Sequence, residues 1–104
     1  MIRSDVLEGV VERIRAGMHP ENIILFGSQA DDTALENSDI DLLVVADTDL
    51  PPRDRFPAAS RLLADVPAAF DIIVKTPGEY QRWRSVVNHI VYLADKYGTV
   101  VYER

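Results

Sequence analysis

The run Ile40-Asp41-Leu42-Leu43-Val44-Val45 constrains this chain more than any other stretch. From Leu42 onward every position is apolar, so a strand here is buried on both faces. Such a strand belongs inside a sheet with helices covering it above and below. The flanking sequence supplies those helices. Leu7, Val11, Ile14 and Met18 fall at helical spacing and predict a helix over residues 3–18, with the Ser4 hydroxyl as its N-cap. Residues 23–26 read as a strand stopped by Gly27, and 28–34 as a short helix after a tight turn. Phe56, Ala59, Leu63 and Val66 mark another helix, whose start is set near Phe56 because Pro57 falls inside the pattern. Residues 69–76 form a third strand, ended by Pro77 and Gly78. Trp83, Val87, Ile90, Ala94 and Tyr97 predict one last helix, stopped by Gly98, and "TVVYE" a closing strand. The expected fold is α/β (α+β), a small mixed β-sheet with helices packed on it, in a single domain over residues 1–104.

Asp39 and Asp41 interrupt this apolar logic at the mouth of the central strand. Alternate side chains of a strand share a face, so the two carboxylates point the same way, with Cα atoms about 7 Å apart. Like charges held that close repel unless a proton or cation lies between them. Asp71 begins the apolar run "DIIV" on the third strand, in the same context. If the two strands are neighbours, it joins the pair as a three-carboxylate cluster. An all-oxygen set suits a hard cation, Mg²⁺ first and Mn²⁺ next. Upstream, Gly27 and Ser28 stand where a strand passes into a short helix. Free N–H groups at a helix start, with a hydroxyl beside them, bind phosphate, and glycine lets the backbone approach it. A serine in that place also serves as a helix cap, and both roles are open to Ser28. A phosphate cradle beside a carboxylate cluster describes a seat for a nucleoside triphosphate and its two metal ions.

Composition narrows the partners. The net charge is −6 and only two of the eleven basic residues are lysine, so broad attraction to nucleic acid or anionic lipid is not expected. No apolar run is long enough to span a membrane, and residues 1–14 lack the layout of a secretory signal. With no cysteine, disulfides and thiolate metal sites are ruled out, and a cytoplasmic address is the simplest expectation.

Gly27-Ser28, ten intervening residues and Asp39-Ile40-Asp41 resemble the signature of the DNA polymerase beta superfamily of nucleotidyltransferases, in particular its minimal branch. The likeness runs through "ILFGS", "SDIDLLVV", "FDIIV" and "YGTVVYER". It implies that Gly27 and Ser28 contact the triphosphate, that Asp39 and Asp41 bind two Mg²⁺ ions, and that Asp71 helps to activate the acceptor hydroxyl. It also implies a partner, since minimal nucleotidyltransferases are often encoded beside a helical HEPN-type toxin and some transfer AMP from ATP to a toxin tyrosine. The family usually has a basic residue and then a glycine where this chain has Asp31 and Asp32. A docking antitoxin without catalysis, a small-molecule acceptor and a homo-oligomer stay open. Arg53, Arg55, Arg82, Arg84 and Lys75 read as surface cations, Trp83 and Tyr97 as core or interface, and His19 and His89 as structural.

Overall fold

The computed structural model describes residues 4–27 and 39–104. Four strands, β1 (Asn22–Phe26), β2 (Ile40–Val45), β3 (Phe70–Lys75) and β4 (Thr99–Glu103), form one mixed sheet in the order β3-β2-β1-β4. β1 is antiparallel to both β2 and β4, whereas β2 and β3 are parallel and joined across α2 (Pro52–Leu62). The all-apolar β2 is thus an interior strand, as its pattern demands.

Strand alternation divides the core between two faces. Ile23 and Leu25 of β1, Ile40, Leu42 and Val44 of β2, and Ile72 and Val74 of β3 pack against α1 (Ser4–Met18) and α2. Ile24, Phe26, Leu43 and Val45 face the other way, onto α3 (Pro77–Trp83) and α4 (Ile90–Tyr97). In α1 the buried centre is Val10 and Ile14, with Leu7, Val11 and Met18 on its flanks. Nothing is described of the Ser4 side chain, and the helix expected over 28–34 lies outside the described residues.

Three expectations are corrected. α2 begins at Pro52 rather than near Phe56 and carries Pro57 inside it. Pro52 suits a first helical position, where no N–H is needed, and Pro57 forfeits one bond to the first turn. Arg55 anchors that turn. It is buried, donates from Nε to the Leu50 carbonyl at 2.9 Å, and pairs through Nη1 with Glu79 at 2.6 Å. It is therefore an internal strut and not a surface cation.

The last helix is two helices. Pro77 and Gly78 do not only end β3; they open α3, where Thr76 accepts from the Glu79 N–H and the Glu79 carboxylate accepts from the Thr76 N–H. The chain then turns through Asn88, at φ +69°, and α4 starts with His89 Nδ1 accepting from the Val91 N–H at 3.1 Å. Trp83 ends the first helix and stacks on His89, with ring centroids 4.5 Å apart. Gly98 closes α4 in an extended conformation, and glycine is required there for space, because a Cβ would lie 2.5 Å from the Ala94 carbonyl and 2.6 Å from Ile24 Cγ2.

Candidate active site

The parallel pairing of β2 with β3 aligns Asp41 with Asp71, flanked by the pairs Ile40 with Phe70 and Leu42 with Ile72. Side-by-side residues in a sheet share a face, and neighbouring strands lie about 4.8 Å apart. The two carboxylates therefore stand next to each other, on the face that carries Leu43, Val45 and Ile73 and is covered by α3 and α4. Asp39 lies one residue before β2 and is exposed. Ile40 points the opposite way into the core.

Crowding leaves a chemical mark on Asp41. Burial, then the charge of Asp71, then that of Asp39 push its carboxyl above the usual carboxylate range. Gly27 lies directly over it. Phe26 pairs with Asp41 across the antiparallel β1–β2 ladder, and Gly27 follows at φ +72°. A Cβ on Gly27 would collide with Asp41 Oδ2, so glycine is required there both for conformation and for space.

Together these groups floor a cavity of about 660 Å³, inside the range of small-molecule sites. Gly27, Asp41 and Asp71 line one side, and Ile90, Leu93 and Tyr97 of α4 the other. Asp39 is not among its lining residues. The apolar wall was only partly legible: Tyr97 read as core or interface, Ile90 as part of the helical apolar spacing, and Leu93 carried no signal of its own. "IVYLADKY" does hold more apolar residues than one buried face needs. Val91 and Ala94 take the sheet side, which leaves Ile90, Leu93 and Tyr97 for the outer one.

Among the described residues no three acidic or histidine side chains gather tightly enough to enclose a metal ion by themselves. The arrangement is an open, negatively charged, all-oxygen one. That fits Mg²⁺, which binds through one or two carboxylates and leaves its other positions to water and substrate phosphates. Ser28, Asp31 and Asp32 lie outside the described residues.

Residues 4–96 match the family model for the nucleotidyltransferase domain. The chain belongs to this family. No curated protein matches it. Solved nucleotidyltransferase-like structures do. A Sulfolobus solfataricus protein assigned as a nucleotidyltransferase aligns at 25% identity and a TM-score of 0.68, covering 96% of this chain and 79% of the other. A toxin–antitoxin crystallised with AMP-PNP aligns at 22% and 0.70, covering 93% and 73%. The toxin–antitoxin MntA–HepT aligns at 19% and 0.66, covering 98% and 74%. At those last two identities the likeness is one of fold. This nucleotidyltransferase domain has no described helix long and apolar enough to cross a membrane.

Proposed function

We propose that the chain is an Mg²⁺-dependent nucleotidyltransferase that moves AMP from ATP onto a hydroxyl of a partner protein, as the antitoxin of a HEPN-type toxin. The observation that carries this reading is the register of Asp41 with Asp71 beneath Gly27, in a cavity of substrate size. Asp39, Asp41 and Asp71 would hold the divalent ions, which supply Lewis-acid stabilisation of the phosphate charge. Gly27 gives the phosphates a close backbone approach, and Ser28 follows it in sequence.

In the reaction the acceptor oxygen bonds to the α-phosphorus as the bond from that phosphorus to the bridging oxygen breaks. Pyrophosphate leaves with the electron pair. The acceptor proton passes to a carboxylate, for which Asp71 is the candidate because it stands at the cavity floor, near the start of the edge strand β3. The protein acceptor is supported by likeness of fold to MntA–HepT and to a toxin–antitoxin that binds AMP-PNP. The test is incubation of the purified protein with ATP labelled at the α-phosphate, Mg²⁺ and the product of the adjacent gene. Label on the partner that disappears in Asp39→Asn supports transfer. Tight complex formation without label, unchanged by that substitution, would make the protein a docking antitoxin instead.

A further inference from the structure

Resting on the proposed nucleotide chemistry, we infer that the outer face of α4 is the seat of the nucleobase, held by stacking and apolar contact rather than by hydrogen bonds to its edge. Ile90, Leu93 and Tyr97 recur at i, i+3 and i+7 and form one continuous stripe. All three are solvent-exposed, Tyr97 at 67%, although Val91 and Ala94 on the same helix are fully buried against the sheet. An apolar stripe left outside the core is not explained by folding. It is explained by its place, as it forms the wall of the same cavity whose floor is Asp41 and Asp71.

A nucleoside triphosphate has the matching polarity. Its phosphates require the charged, cation-binding end, and its base offers a flat apolar surface to the other end. Tyr97 is the aromatic plane available to that surface, with Lys96 Nζ 5.8 Å from its ring centroid. Val86 and Val87 are also exposed but do not line the cavity, so they are not part of this seat.

The wall also has a consequence for choice of base. Strong discrimination needs buried polar groups that go unpaired with the wrong ligand. Among the described lining residues the polar side chains are Asp41 and Asp71, committed to the phosphate end, and the Tyr97 hydroxyl. Stacking is tolerant of base identity. ATP and GTP are thus expected to bind within a few-fold of each other.

The test is calorimetric titration of the whole protein, in Mg²⁺, with ATP, GTP and inorganic tripolyphosphate, repeated on Tyr97→Ala and Tyr97→Phe. Loss of one stacking plane is expected to weaken ATP and GTP about tenfold in Tyr97→Ala. Tripolyphosphate should be unaffected, and Tyr97→Phe should keep near-native affinity. Tyr97 is exposed, so both variants should fold. Equal ATP affinity in wild type and Tyr97→Ala overturns the base seat while leaving nucleotide binding intact. If that variant binds ATP normally yet labels its partner poorly, the stripe contacts the acceptor and the inference is wrong. A protein that binds neither ATP nor tripolyphosphate loses the proposed function as well.

Discussion

Asp41 is the residue at which folding and the proposed function pull apart. A carboxylate whose pKa is raised by folding binds its proton more strongly in the native state than in the unfolded one. Its ionised form therefore costs stability above the unfolded pKa, and the cost fades as pH falls. Asp41→Asn is expected to raise stability at pH 7 by about 1 kcal/mol, the usual size for relieving a functional conflict. For a chain of this length that is roughly 4–8 °C in Tm. Nucleotidyl transfer should be lost at the same time. A melting scan showing an unchanged or lower Tm would mean that the carboxylate cluster is not a source of strain. Gly27→Ala should act in the opposite direction: φ +72° alone makes alanine cost about 1–2 kcal/mol, and its Cβ must also displace the Asp41 carboxylate. Both effects are measurable in one denaturation series. The Asp39-Ile40-Asp41 alternation was legible because strand geometry fixes which way successive side chains point. The relation of Gly27 to Asp41 was not, since it depends on how β1 pairs with β2 across residues far apart in sequence.

At the scale of elements, the Arg55–Glu79 pair ties the start of α2 to the start of α3. Glu79 is held below the usual carboxylate range, first by the Thr76 N–H and also by Arg55. A lowered carboxylate contributes stability above its unfolded pKa and loses it as pH falls, so the pair should weaken from around pH 4.5 downward. Glu79→Ala strands a buried guanidinium and is expected to cost about 3 kcal/mol at neutral pH. It should also flatten the acid side of the stability profile; a native-like profile in the variant would show that the pair contributes little. The strands were the easier elements to foresee. β2 and β4 have the bounds that their apolar runs suggest, whereas the two corrections to element bounds concern helix starts next to proline. Thr76-Pro77-Gly78-Glu79 carries a capping box that outweighs the turn signal of Pro-Gly, and Pro52 is tolerated at a helix start that the internal Pro57 argues against.

Across the whole molecule, one sheet does two jobs. Its face toward α1 and α2 is closed and apolar, while its face toward α3 and α4 is core at one end and a carboxylate-floored cavity at the other. The approach of Asp71 to Asp41 required β2 and β3 to be neighbours, a condition the sequence could pose and topology had to answer. The α4 wall was hidden for another reason: an amphipathic helix with two apolar faces looks from sequence like one with a single broad face. A net charge of −6 disfavours general attraction to polyanions, and on the proposed function contact with a triphosphate would rely on divalent cations. The most direct measurement follows two labels in parallel, ATP carrying isotope at the α-phosphate or at the γ-phosphate, with the partner protein and Mg²⁺. The expected result is stable α-label on the partner, γ-label recovered only as pyrophosphate, and neither in the presence of a chelator or in Asp71→Asn. Transfer of γ-label, or no transfer of either from the wild-type protein, would contradict nucleotidyl transfer at this site.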